Sequence, residues 1–108
     1  MSAGVRVALT TGPDVETLRS ICRALIEERL IACANVLEGM TSIYRWEGAI
    51  EEAPECLAIL KTTSDRIEPL EARLRELHPY DVPELVVLDI ANGSAAYLDW
   101  VRESTRIG

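Results

Sequence analysis

Hydrophobic and polar positions alternate along the chain with two different periods. Short runs rich in β-branched and aliphatic residues predict strands at 5–10, 33–37, 41–47, 55–62 and 85–90. Apolar positions three and four residues apart predict helices over 15–29 and 67–77, and a closing helix after Ser94. We expect the two central β regions to form a hairpin, so the order of elements is β-α-β-β-α-β with a terminal helix.

This order of elements predicts an α+β fold of the ferredoxin-like, split β-α-β type. In that arrangement helices cover one face of an antiparallel sheet. Because crossover connections are right-handed, we expect the first and third strands at the centre and the first hairpin strand at an edge.

Short-range signals predict where the helices begin and end. Asp14 and Ser94 stand where N-cap residues are expected, and Asp65 and Glu68 have the spacing of a capping box. Since proline disfavours helical geometry in the residue before it, the second helix should end by His78.

The β region from Cys33 to Glu47 is long for so small a chain. A continuous strand of this length spans roughly 45–50 Å at about 3.3 Å per residue. The radius of gyration of a chain of this size is only about 13 Å, so such a strand would project beyond its own domain. We expect Gly39 to bend or bulge the strand. Tyr44 and Trp46 then lie on an overhang that sister chains cover. Alternatively, Gly39 folds the hairpin back, and both aromatic residues cap the core of their own subunit.

Turn residues predict how the hairpin closes. We expect a polar turn from Gly48 to Glu52, and Pro54 at the start of the next strand, since proline cannot donate to a sheet ladder. The carboxylates of Glu47, Glu51, Glu52 and Glu55 are interpreted as a solvated hairpin tip.

Composition narrows the class of protein. The chain has 108 residues, of which 48% are hydrophobic and 27% charged, which predicts a single globular domain over 1–108. Eighteen acidic residues against eleven basic ones give a net charge of -7, so a nucleic-acid partner is not expected. With no apolar run long enough to insert into a membrane and no leader pattern, we expect a cytoplasmic protein. Its three cysteines, Cys22, Cys33 and Cys56, are expected to be reduced core thiols.

Several motifs together resemble the CutA family of divalent-cation-tolerance proteins. They are Leu-Ile-Ala-Cys-Ala-Asn-Val at 30–36, Ser-Ile-Tyr-Arg-Trp-Glu-Gly at 42–48, Leu-Lys-Thr-Thr at 60–63, His-Pro-Tyr-Asp-Val-Pro-Glu-Leu at 78–85, and Tyr-Leu-x-Trp at 97–100. The resemblance covers nearly the whole chain. It implies a ferredoxin-like subunit in a tight homotrimer similar to the PII signalling trimers, with clefts between subunits and a link to copper or another divalent cation.

The resemblance also directs attention to His78. In family members for which copper binding has been proposed, a cysteine near the end of the first strand and two adjacent histidines before Pro-Tyr are implicated. The matching positions here are Thr10 and the pair Leu77-His78. His78 is therefore the candidate metal ligand, with trimer symmetry or a carboxylate such as Glu84 supplying the others. In the structural alternative, His78 closes its helix and interacts with the C-terminal carbonyls.

Four residues are candidates for a ligand-binding cleft: Tyr44, Trp46, Lys61 and Glu84. Lys61 ends an otherwise apolar strand, where an ammonium needs a partner charge or a ligand. It could pair with Glu47 or Glu84, or hold an anionic ligand in the cleft. The aromatic residues have packing against the core as their alternative role.

Three classes of function follow. The first is a non-enzymatic, CutA-like trimer that responds to metal ions and binds copper, another divalent cation or a small ligand at inter-subunit clefts. The second is a structural or interaction trimer, or a PII-like small-molecule signalling module without direct metal binding. An enzyme is not expected, because the chain lacks a Gly-rich phosphate loop, a nucleophile elbow and zinc-protease spacing, and has one histidine.

Overall fold

The computed structural model describes residues 3–107, which form an antiparallel sheet and three α-helices. The elements are β1 (Val5–Gly12), α1 (Val15–Glu27), β2 (Cys33–Trp46), β3 (Ala49–Thr63), α2 (Ile67–Leu77), β4 (Val86–Asp89) and α3 (Ala95–Ser104). The strands are ordered β2-β3-β1-β4, and every neighbouring pair is antiparallel. The predicted α+β class and the central position of β1 and β3 are confirmed. None of the helices in this part of the chain is long and apolar enough to cross a membrane.

The main core lies between the sheet and helices α1 and α2. Its fully buried members include Ala8, Leu18, Leu25, Ile31, Ala58, Leu60 and Leu70. Burial of each large aliphatic side chain contributes about 1.5–3 kcal/mol. A smaller cluster of Val5, Ala32 and Val101 lies under α3.

Two predicted N-caps are confirmed. The Asp14 side chain accepts a hydrogen bond from the Thr17 N–H at 2.7 Å, and Ser94 Oγ accepts one from the Tyr97 N–H at 3.3 Å. Each bond satisfies a backbone donor that the first turn of a helix leaves free.

The capping box at the start of α2 was predicted wrongly. A 3-10 turn at Ser64–Arg66 precedes the helix, and Asp65 accepts a hydrogen bond from the Thr63 hydroxyl at 2.6 Å instead. The other end is as predicted: α2 stops at Leu77, and His78 is extended, as a residue before proline prefers to be.

The hairpin of β2 and β3 projects beyond the rest of the sheet. β1 ends with Gly12 opposite Cys56, so the outer halves of β2 and β3 pair only with each other. The longest dimension of the molecule is 47 Å. A register shift between Leu37 and Met40 includes Gly39, whose φ is 83°, so the predicted bulge is confirmed.

The overhang leaves its aromatic residues accessible. Tyr44 is 44% exposed and Trp46 is 59% exposed. The alternative in which the hairpin folds back to enclose them in their own subunit is therefore wrong.

The hairpin turn is tighter than predicted. Only Glu47 and Gly48 separate Trp46 from Ala49, its partner on β3, and both turn residues have positive φ, 47° and 81°. The predicted turn at 48–52 is thus wrong, because a two-residue turn with positive φ at both positions matches the twist of the strands it joins.

Pro54 lies inside β3, opposite Thr41, and not at the start of a strand as predicted. A proline is tolerated there because β1 has already ended, and one edge of β3 has no neighbouring strand. The overhang itself makes this position compatible with proline.

Candidate functional site

A cleft of about 750 Å³ lies between the outer half of the hairpin and the segment before β4. Its lining residues are Ser42, Ile43, Tyr44, Trp46, Ala53, Glu55, Tyr80, Asp81, Val82 and Glu84. Three of the four predicted cleft residues, Tyr44, Trp46 and Glu84, lie along it. The fourth, Lys61, does not.

Strand geometry places the aromatic side chains on one face of the hairpin. Ser42, Tyr44 and Trp46 are two residues apart on β2 and so share a face. Ala53 lies opposite Ser42, and Ala49 lies opposite Trp46. Glu51 lies opposite Tyr44, and the rings of Tyr44 and Trp46 both remain partly exposed at the cleft.

Tyr80 connects the segment after α2 to the hairpin. Its hydroxyl donates a hydrogen bond to Glu55 Oε2 at 2.7 Å. Burial, followed by this bond to Glu55, raises the pKa of the Tyr80 phenol well above its ordinary value, so it remains protonated. The other side of the Tyr80 ring lies against His78, with ring centroids 4.6 Å apart. The two walls of the cleft are thereby held together.

The charges of the cleft have one sign. Glu55, Asp81 and Glu84 contribute carboxylates, and the described lining includes no lysine, arginine or histidine. Asp81 and Glu84 are exposed, whereas Glu55 is half-buried. The cleft therefore combines aromatic surface with a negative potential.

His78 lies behind this cleft and has two hydrogen-bond partners in its own subunit. The ring is 7% exposed. Nδ1 accepts from the Tyr80 N–H at 3.1 Å, so the proton of the neutral ring is on Nε2, which donates to the Thr11 carbonyl at 2.7 Å. Coordination of a metal by this ring would require loss of one of these bonds.

The described residues form no cluster of three or more metal ligands around His78. Residues 3–107 contain no group of three or more His, Cys, Asp or Glu side chains placed to hold a metal ion. Thr10, at the position that the family resemblance relates to copper, is fully buried, and its hydroxyl has no hydrogen-bond partner within the described residues. A metal centre at this place would need ligands from another subunit.

Lys61 lies on the opposite face of the sheet from the helices. Its neighbours Leu60 and Thr62 are fully buried against the core, so Lys61 points the other way. Its ammonium donates a hydrogen bond to Asn35 Oδ1 and forms no ion pair within residues 3–107, so the predicted pairing with Glu47 or Glu84 is not found in the subunit. Glu55 lies six positions away on the same strand, at roughly 20 Å.

Two of the three cysteines lie in the core, as predicted, but the core position predicted for Cys33 is wrong. Cys22 and Cys56 are buried, and burial raises the pKa of Cys22 to about 11. Cys33 is only half-buried, and its sulfur lies 3.4 Å from the Tyr97 hydroxyl. None of the three lies in the cleft.

Sequence reasoning missed Glu55, Tyr80 and Asp81. It assigned Glu55 to a solvated hairpin tip and gave Tyr80 and Asp81 no role beyond the motif at 78–85. A tyrosine held between Pro79 and Pro83 was the available signal, since two prolines restrict the backbone that presents it.

Comparison with known proteins gives consistent results. The family model described as CutA1 divalent ion tolerance protein matches residues 6–104. The divalent-cation tolerance protein CutA of Thermus thermophilus is 52% identical over 92% of this chain and 96% of its own length, and that of Pyrococcus horikoshii is 46% identical over 93% and 97%. The solved structure of the Thermus thermophilus divalent cation tolerance protein superposes with a TM-score of 0.92 at 50% identity, covering 94% of this chain and 99% of that one.

Proposed function

The chain belongs to the CutA1 divalent ion tolerance family, and we propose that it acts as a non-enzymatic homotrimer in the response to divalent metal ions. The family match over residues 6–104 is the observation that supports this role. In the proposed assembly the subunits have the ferredoxin-like arrangement and are grouped as in the PII signalling trimers. A small ligand or a divalent cation such as copper binds at the clefts.

Two uncovered surfaces support assembly. The first is the sheet face that carries Lys61, where Leu37, Val86 and Leu88 are 44–49% exposed and lie among further apolar residues. The second is the overhanging hairpin, where Ile43 is 65% exposed. Continuous apolar surfaces of this kind favour association with copies of the same chain.

The cleft supports ligand binding at the same assembly. Its volume of about 750 Å³ lies in the range of small-molecule sites. It is built from the projecting half of the hairpin, which sister chains would approach. His78, behind the cleft, remains the proposed metal ligand, with its remaining partners supplied across a subunit boundary.

A PII-like small-molecule signalling module is the second candidate. The observation that favours it is the combination of an open cleft with no metal-binding cluster in residues 3–107. In either role the three free thiols support a reducing, cytoplasmic location.

Metal tolerance is tested by complementation. In a bacterial strain that lacks its own CutA1 protein, expression of this chain should restore growth on graded Cu²⁺, and Leu88→Glu, which alters the open sheet face, should not. Ile107→Glu, an equally drastic change at an exposed residue near the end of the chain, serves as the control and should behave like the parent. Unchanged growth with the parent on copper, zinc and cadmium would contradict the proposed role.

A further inference from the structure

We propose that the cleft between the hairpin and residues 80–84 binds a small organic cation, such as an alkylated ammonium or a protonated amine. This inference rests on the ligand-binding role proposed above, and it assigns the chemical class of the ligand. An anionic ligand was expected if Lys61 lined the cleft, and a cationic ligand takes its place because Lys61 does not.

The aromatic residues supply the first half of the recognition. Tyr44 and Trp46 present partly exposed rings from β2, and Tyr80 lines the same cleft from the segment after α2. An ammonium group is attracted to the face of such rings within about 6 Å of the centroid, most strongly for tryptophan. Three aromatic residues in one cleft therefore suit a cation that carries apolar substituents.

The carboxylates supply the second half. Glu55, Asp81 and Glu84 are the only charged residues among those that line the cleft. Lys61 is not among the lining residues: it lies six positions from Glu55 along β3 and bonds to Asn35. Charge complementarity thus favours a cationic ligand and opposes a phosphate or carboxylate.

A bare divalent cation fits the same cleft poorly. Such ions need several oxygen ligands that converge at about 2.0–2.6 Å. Within residues 3–107 no three acidic, histidine or cysteine side chains converge in this way, and one oxygen of Glu55 already accepts the Tyr80 hydroxyl. A larger, diffuse charge interacts with separated carboxylates and rings without such convergence.

The two tryptophans of the chain provide a specific reporter. Trp46 lines the cleft, whereas Trp100 lies on α3 beside Ile26 and Arg29. In Trp100→Phe the tryptophan emission comes from the cleft alone. Titration of this assembled protein with choline should change the emission of Trp46 and reach saturation.

The neutral isostere 3,3-dimethylbutan-1-ol is the matched ligand control. It has the shape of choline without the charge, and we expect it to bind about tenfold more weakly or worse. Trp46→Phe, in which only Trp100 emits, should show no saturable change.

Carboxylate variants test the second half of the recognition. Glu84→Gln and Asp81→Asn should each weaken choline binding by about threefold or more. Both residues are exposed, so the fold should be retained, as circular dichroism would check. Glu68→Gln changes an exposed carboxylate on α2 outside the cleft and should leave the affinity unchanged.

Several results would overturn the inference. Equal binding of choline and its neutral isostere would reduce the cleft to an apolar pocket. Saturable binding of inorganic phosphate or Cu²⁺ with no response to choline would assign another ligand class and leave the proposed family role intact. Trp46 emission inaccessible to acrylamide in the assembled protein would show that a second copy fills the cleft. Failure of the parent chain to restore growth on Cu²⁺ in the complementation test would instead contradict the proposed function itself.

Discussion

The His78 ring lies between two backbone groups, and each of its nitrogens has one of them as a partner. Nε2 donates to the Thr11 carbonyl, and Nδ1 accepts from the Tyr80 N–H. The ring also packs at a tilt against Tyr80, whose hydroxyl donates a hydrogen bond to Glu55. One side chain therefore connects the end of β1 to the wall of the cleft.

Replacement of His78 by alanine should lower the free energy of unfolding by about 2–4 kcal/mol, because the buried Thr11 carbonyl and the part-buried Tyr80 N–H lose their partners and a cavity forms. Denaturant unfolding measures this change. Calorimetric titration of the same pair of proteins with Cu²⁺ tests the metal role. Full stability in His78→Ala together with loss of the copper heat would show that the ring serves a metal and not the fold.

The stability that the Asp14 carboxylate gives to the start of α1 depends on pH. Hydrogen bonds from Thr17, chiefly from its backbone N–H, hold the pKa of the Asp14 carboxyl below its usual value. A depressed folded pKa means that the carboxylate stabilises the fold above the unfolded pKa of about 3.9, and that this stability is lost as pH falls through the folded pKa.

Asp14→Ala should therefore lower the melting temperature by a few degrees at pH 7, and the difference from the parent should shrink as the pH falls below about 4. Thermal unfolding across this range provides the measurement. Ser94→Ala removes an uncharged N-cap and is the matched control, since its effect should not share this pH dependence. A pH-independent difference for Asp14→Ala would contradict the linkage.

Glu47, in the two-residue turn of the hairpin, has an unfavourable backbone conformation. Glu47 has a φ of 47°, a conformation that costs a residue with a β-carbon about 1 kcal/mol and that asparagine tolerates better. Gly48, at φ 81°, suits its position. The strand pairing of the outer hairpin compensates for the strain at Glu47.

Glu47→Asn should thus raise the free energy of unfolding by about 0.5–1 kcal/mol, since Asn-Gly is the preferred pair for such turns. Chemical denaturation compares it with Glu52→Asn, which removes the same charge from an extended position on β3. We expect no gain from Glu52→Asn. Equal stabilisation by both would attribute the effect to charge and not to backbone conformation.

Elements with strong local signals were predictable. The apolar spacing of α1 and its Asp14 cap sufficed for that helix, and Pro79 located the end of α2. The start of α2 was not predictable in detail, because Asp65 had two competing partners and bonded to the Thr63 hydroxyl. Pro54 misled the strand assignment because its tolerance depends on where β1 ends.

The whole molecule has one helix-covered face and one open face. Leu88 on β4, Val7 on β1 and Lys61 on β3 are successive partners across the open face. The open face is the surface that the proposed trimer would bury, and the hairpin continues past the end of the sheet toward the sister chains.

Light scattering or native mass spectrometry should give three times 12.0 kDa for the parent. Leu88→Glu should reduce this mass, because a carboxylate would be desolvated in the interface. Ile107→Glu is again the control and should retain the parent mass. A monomeric parent at micromolar concentration would contradict the assembly.

Much of this protein was determined by its sequence alone. The order of elements, the central strands, two helix caps, the bulge at Gly39 and the family resemblance all follow from local pattern, because periodicity and turn chemistry act between near neighbours in the chain. Tyr44, Trp46 and Glu84 were expected to line a cleft between subunits, and within one subunit they line the cleft between the hairpin and residues 80–84.

Only the tertiary structure decided what surrounds those residues. It joined Tyr80 to Glu55 across twenty-five positions of sequence, gave both nitrogens of His78 a partner, and left Lys61 outside the cleft beside Asn35. These outcomes depend on strand register and on where neighbouring strands stop, which arise from long-range packing and are absent from any local window. The sign of the charge in the cleft is therefore a property of the fold.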